Sequence, residues 1–387
     1  MKKDKQILVI LLFGIISLLG DIIYEGTRSI SGPFLASLGA TSIIIGFFSG
    51  LGEFITYILR FLSGYICDKK KLYWPFTIIG YSLICSLPLL AFTKIWQFAV
   101  LLIIFERIGK AIRSPSRDTL LSFAGRNIGY GKSFGIHEAL DQFGAVLGSL
   151  IFFVSLSKFK NYSFAFNLMW IPAFFLILTL IFAKKNYAIS IEKDKIGESK
   201  GKNINKSFVF YIFFVFFSIA GLINFPIISY HFTVKKIMNF SIIPIFYLIV
   251  MGIDGIIAFF IGDLYDKIKF KALLLIPILT MILPFFAFSS NIFFSIISVI
   301  ILGIIIGCHE TVLRASIGDM THSSKRGFAY GLFNSIYGIA IFIGSWIIGY
   351  LYEKNLQNIL LYVILTEILA FIFLSFQIKK NVMEKTG

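Results

Sequence analysis

Fifteen ionisable side chains stand inside long apolar stretches of this 387-residue sequence. Each such group costs about 2.5–3.5 kcal/mol at the centre of a membrane-spanning helix. Eleven fall in the first half: Asp21, Glu25, Arg28, Glu53, Arg60, Glu106, Arg107, Lys110, Arg113, Glu138 and Asp141. The second half holds only Asp254, His309, Glu310 and Glu367. Spacing sorts them by face. Asp21, Glu25 and Arg28 follow i, i+4, i+7, as do Glu53, Tyr57 and Arg60, and Glu106, Lys110 and Arg113, so each set shares one stripe of its helix. Such stripes can line a central polar cavity that binds a charged solute or passes a proton. Burial favours the neutral form of a carboxylate, and a nearby arginine favours the charged form. Asp21 or Glu53 near Arg107 is therefore placed to exchange protons as solute and cavity water come and go. The candidate cavity set is Asp21, Tyr24, Glu25, Arg28, Glu53, Tyr57, Glu106, Arg107, Asp141 and Asp254. Structural ion pairing competes for Glu25, Arg28, Arg60, Lys110 and Arg113, because six acids face five bases in the first half. His309 reads as a satisfied helix residue, and Glu367 as peripheral.

Other chemistries find no support. There is no Walker loop, no dinucleotide fingerprint and no serine in a nucleophile elbow. His137 and Glu138 are adjacent, but no histidine–acid set has metal-ligand spacing. Cys67, Cys85 and Cys308 lie in apolar runs without paired spacing, which argues against a disulfide framework or a zinc site. The expectation is a protein that is not an enzyme and carries no metal and no cofactor.

The elements that must position these charges are transmembrane helices. The chain is 57% hydrophobic and 14% charged, against about 25% charged in a soluble domain. Polar breaks fall near 37–41, 68–73, 93–97, 114–133, 157–163, 184–206, 233–240, 263–271, 288–292, 314–327 and 352–358. Eleven breaks divide twelve apolar segments, each near the roughly 20 residues that span a bilayer. The first helix runs from about Gln6 to Leu35 with Pro33 bending it. Its meeting with Asp21 and Glu25 argues against a cleaved signal peptide. At a rise of about 1.5 Å per residue, Glu53, Glu106, Arg107 and Asp254 lie roughly 13–20 Å from their outer boundaries, near mid-depth of a ~30 Å core. The fold class is an all-α membrane protein of twelve transmembrane helices in two six-helix bundles. Residues 1–183 form the first bundle, 184–206 a cytoplasmic linker loop and 207–387 the second bundle.

The formal net charge of +16 is a topology signal. With both termini cytoplasmic, the inner segments carry 25 lysines and arginines and the outer loops 6, as the positive-inside rule requires. A plasma-membrane location follows. No aromatic-interleaved basic patch stands on a soluble face, so nucleic acid is not an expected partner. The expected partners are a small solute, protons and the lipid bilayer.

The two halves repeat. Gly64-Tyr-Ile-Cys-Asp68-Lys69-Lys70-Lys71 returns as Gly262-Asp-Leu-Tyr-Asp266-Lys267-Ile-Lys269 at an offset of 198, and Gly131, Gly135, Gly148 and Ser149 return as Gly327, Gly331, Gly344 and Ser345 at an offset of 196. Parallel six-helix repeats are one of the transporter architectures. Over essentially the whole chain the layout resembles the major facilitator superfamily. Gly64-x-x-x-Asp68-Lys69 is similar to that family's signature between helices two and three, with Lys71 where a glycine usually stands. Arg107-x-Gly109 resembles a second motif, and Gly144-x-x-x-Gly148 the antiporter glycine motif, with Ser149 in place of its proline. The stretches 26–33 and 106–118 look like a prokaryotic branch of the superfamily whose substrate is unknown.

The resemblance implies alternating access. It also implies a gating motif of Gly64, Asp68 and Lys69, echoed by Gly262, Asp266 and Lys267, in which Asp68 accepts bonds from the start of helix eleven near Gly327–Gly331. Gly144, Gly148 and Gly344 are expected to let helices approach closely. The resulting reading is a proton-coupled secondary active transporter of a small solute, with efflux favoured over uptake. The alternative is a transport-inactive protein of the same fold that serves as a sensor or partner scaffold. The charged stripes speak for transport, since a scaffold has no use for them.

Overall fold

The computed structural model describes residues 3–125, 130–186, 206–321 and 326–386. Most of the expected linker loop and the Asp68 side chain lie outside the described part. Among the described residues there is no strand. We label the spanning helices α1 (Lys3–Ser37), α2 (Ser42–Lys70), α3 (Tyr73–Phe92), α4 (Trp96–Gly125), α5 (Tyr130–Phe159), α6 (Tyr162–Lys185), α7 (Ser207–Val234), α8 (Ile243–Ile268), α9 (Leu275–Ala287), α10 (Ile292–Met320), α11 (Arg326–Lys354) and α12 (Leu356–Thr386). Ten stretches are long and apolar enough to cross a membrane. One of them, Phe240–Ala287, contains both α8 and α9. The twelfth helix, α4, falls outside those ten because of its charges.

Two helices run further than their polar residues suggest. The sequence places breaks at 114–133 and 314–327, yet α4 continues to Gly125 and α10 to Met320. Pro115 inside α4 has no N–H to give the carbonyl of Ala111. The Ser63 hydroxyl of α2 donates to that carbonyl instead, at 2.7 Å. Ser114 and Thr119 bond back to the carbonyls of Lys110 and Pro115 at 2.7 and 2.8 Å. Side-chain hydroxyls of this kind keep a proline-bearing helix viable in lipid. In α10 the register slips by one π turn over His309–Leu313, a feature often found at functional positions.

The chain forms two compact units, the first of residues 1–39, 55–195 and 239–248, the second of 40–54, 196–238 and 249–387. In the first unit α1 lies tightly on α5. A Cβ at Gly144 would stand 2.5 Å from the Leu18 carbonyl, and Gly148 packs with the same closeness on the Ile22 carbonyl. In the second unit Gly344 of α11 packs onto the Ala220 carbonyl of α7. Phe213 and Phe217 of α7 stack on Phe373 of α12 at 5.0 and 5.6 Å. Large apolar side chains such as Phe61, Phe174, Phe260 and Leu365 point outward and stay exposed.

Candidate functional site

The first unit gathers most of the charged stripes around Tyr24. Its hydroxyl accepts a hydrogen bond from Arg107 and another from Arg28 at 3.3 Å. Its ring lies 4.9 Å from the Arg107 guanidinium and 4.0 Å from the Lys110 ammonium. Three cations from α1 and α4 thus converge on one side chain that is only 2% exposed. The electron-rich ring face attracts Arg107 and Lys110. Tyr24 belongs to this group because it precedes Arg28 by one helical turn on α1.

Glu106 is buried and faces Arg113 at 3.3 Å and Arg107 at 3.8 Å. Arg113 also lies over the Tyr81 ring, 5.1 Å from its centroid. Glu25 pairs with Arg28 at 3.8 Å and accepts a bond from the Tyr247 hydroxyl. Tyr57 lies under Arg60, whose guanidinium reaches Ser114 at 3.5 Å. Asp21 stands within charge range of Asp141, Glu25, Lys110 and Arg113. Glu53 and Asp254 belong to the second unit. Glu53 is partly buried there, and Asp254 is buried against Gly307 and Cys308 of α10.

A second polar group lies toward the N-terminal half of α1, and no local sequence pattern assembles it. The Ser17 hydroxyl is 2.8 Å from His137 Nε2 and 2.8 Å from the Tyr81 hydroxyl, and it accepts from Arg117 at 3.0 Å. His137 Nδ1 lies 3.3 Å from Asp141, and Arg117 approaches Asp141 at 3.9 Å and Asp118 at 2.8 Å. The serine–histidine–aspartate order resembles a hydrolytic triad, but three partners already hold the Ser17 oxygen and it is buried. The one signal in the sequence is the i, i+4 pair His137–Asp141. Arg117 falls within the sequence break 114–133 yet rides on the continued α4.

The repeated loop motifs take distinct forms. A Cβ at Gly64 would stand 3.5 Å from Pro115 Cβ. In the second copy Lys269 bridges Asp266 at 3.7 Å and Asp319 at 3.3 Å. Two expectations need correction. Neither ring nitrogen of His309 has a hydrogen-bond partner among the described residues although the residue is 2% exposed, so it is not a satisfied helix residue. Glu367 is not peripheral, being fully buried. Among the described residues, no group of three or more histidines, cysteines or acids could hold a metal ion.

Long helices, most of them apolar enough to cross a membrane and several carrying buried charges, define a multi-pass membrane protein. The model of the Major Facilitator Superfamily matches residues 10–344 and, again, 251–386. The chain belongs to that superfamily. An uncharacterised protein of Mycobacterium tuberculosis is 33% identical over 371 residues, covering 94% of this chain and 91% of the relative. An uncharacterised MFS-type transporter of Methanocaldococcus jannaschii is 31% identical over 371 residues, covering 91% and 90%. Among solved structures, a variant of the nucleoside transporter NupG superposes with a TM-score of 0.74 at 18% identity, over 95% of this chain and 99% of that one. A bacterial homologue of the human lysosomal transporter Spinster, inward-facing and occupied, gives 0.71 at 13% identity, over 96% and 95%. These likenesses carry the twelve-helix, two-bundle fold, and the superfamily implies a small-molecule solute.

Proposed function

We propose that this chain is a proton-coupled secondary transporter of a small solute, working by alternating access between bundles 1–183 and 207–387, with export favoured over import. The observation that carries the coupling is the neighbourhood of Asp21 on α1 and Asp141 on α5. Two carboxylates close enough to repel resist being charged together, so the pair is suited to hold a single proton. His137 and Arg117 at Asp141 provide a route by which the proton is released or held. The cations gathered on Tyr24 favour a solute with an anionic group, which Arg28, Arg107 or Lys110 would pair. The direction rests on the likeness of Gly144-x-x-x-Gly148 to the antiporter motif.

The protein sits in the plasma membrane with both termini cytoplasmic, and the bilayer covers its exposed phenylalanines and leucines. Asp68 and its echo Asp266 act as gating residues at the inner face. Replacing Asp68 with Asn should slow conformational exchange more than it weakens solute binding, and Asp266→Asn should do less. The test of coupling is transport into proteoliposomes under an imposed pH gradient, with Asp21→Asn, Asp141→Asn and Glu53→Gln beside the parent. A parent protein that ignores the gradient removes proton coupling. Coupling retained in Asp21→Asn and Asp141→Asn moves the site to Glu53 or Asp254.

A further inference from the structure

Glu367 has no exposed surface, and at a rise of about 1.5 Å per residue it lies roughly 17 Å along α12 from Leu356, near the membrane midplane. Neither carboxylate oxygen has a hydrogen-bond partner among the described residues. No lysine, arginine or histidine among the described residues pairs with it; the polar neighbour is Ser218 of α7. That hydroxyl is buried and likewise lacks a partner in hydrogen-bonding geometry.

The helix facing this carboxylate is broken. The first segment of α7 ends at Ala220, and the second begins at Phe225, capped by the Asn224 side chain accepting from Ile227 N–H at 3.3 Å. At the break, Leu222 N–H turns to the carbonyl of Ile219 at 3.2 Å, one residue short of α-helical register. The Ala220 carbonyl is drawn into side-chain bonding and accepts from the Tyr362 hydroxyl at 3.2 Å. Gly221 makes room for the approach. A Cβ there would stand 2.6 Å from Glu367 Oε1 and 2.5 Å from Thr366 Oγ1, so any side chain would displace both oxygens.

We propose that Glu367, Ser218, Thr366 and the broken backbone at Gly221 form a binding site for a sodium ion. Every donor is an oxygen, the set that hard cations prefer. One carboxylate among neutral oxygens balances a single positive charge, which suits a monovalent ion rather than calcium. An ion coordinates several of these oxygens together, whereas one proton would satisfy a single hydrogen bond. Discontinuous helices whose freed carbonyls meet a coupling ion are a recurrent membrane-protein solution. The site lies wholly in the second unit and does not involve Asp21 or Asp141.

The test is equilibrium binding of radiolabelled sodium to the purified full-length protein in detergent, at constant ionic strength with choline as the balancing cation. The expected result is saturable binding that weakens as the pH is lowered, is abolished by Glu367→Gln and falls about tenfold in Ser218→Ala. Absence of sodium binding by the parent at every pH would overturn the proposal and leave a proton on Glu367. Binding retained at full strength by Glu367→Gln would overturn it too. If Glu367→Gln fails to fold, Ser218→Ala decides: parental affinity in that variant refutes the site. No transport is measured, so failure here leaves the coupling at Asp21 and Asp141 standing, and failure of that coupling leaves this site standing.

Discussion

Lys71 and Lys269 hold the same left-handed backbone conformation, with φ of 54° and 52°. They are the matching positions of the two copies of the loop motif and end α2 and α8 in the same way. The left-handed turn is the position that glycine usually fills after a helix, and this explains why the superfamily places glycine where Lys71 stands. Here lysine bears the strain. Lys71→Gly should stabilise the protein by about 1 kcal/mol and Lys269→Gly by less, because it also removes the bridges to Asp266 and Asp319, while Lys71→Val should lower stability. Thermal unfolding of the purified variants in detergent checks the sign.

Tyr24 separates two contributions. Tyr24→Phe keeps the ring under Lys110 and Arg107 but removes the acceptor that Arg107 and Arg28 share. Losing a hydrogen bond to a charged group costs about 1.5–3 kcal/mol. Transport should fall about tenfold in Tyr24→Phe and further in Tyr24→Ala, with folding preserved in the first. Equal activity of Tyr24→Phe and the parent would show that the hydroxyl is not used.

Glu106 and Arg113 form a pair with side-chain exposures of 1% and 4%. Breaking a buried pair from one side leaves an uncompensated charge and costs about 3–5 kcal/mol. Glu106→Gln should therefore be poorly expressed or thermally weak, and the Glu106→Gln, Arg113→Gln double variant should recover part of the loss. A double variant as weak as the sum of the singles would contradict this.

Ser63→Ala removes the donor that serves the Ala111 carbonyl opposite Pro115. An unsatisfied buried carbonyl costs about 1–3 kcal/mol. Stability should drop by that amount, and Pro115→Ala in the same background should restore it, because α4 then supplies its own N–H. Absence of rescue would place the cause elsewhere.

Topology is checked by single cysteines in a background lacking Cys67, Cys85 and Cys308. Asn186→Cys should resist an impermeant thiol reagent added to intact cells, and Asn355→Cys should react. The reverse pattern would invert the charge-based orientation.

Twelve spans, the internal repeat and the clustering of charge in the first half follow from the sequence alone, because hydropathy, lysine position and spacing of three or four residues are properties of one helix at a time. The i, i+4, i+7 stripes were legible for the same reason. Which stripes meet was not. Ser17, Tyr81, Arg117, His137 and Asp141 come from four different helices, and no local pattern ties them together. The continuation of α4 past Pro115 depends on a hydroxyl from α2, so a proline that reads as a break becomes part of a span. Glu367 marks the difference most clearly. On α12 alone it is one acid in an apolar run, and only the packing of that helix against the broken α7 turns it inward, where its two oxygens meet no positive charge among the described residues.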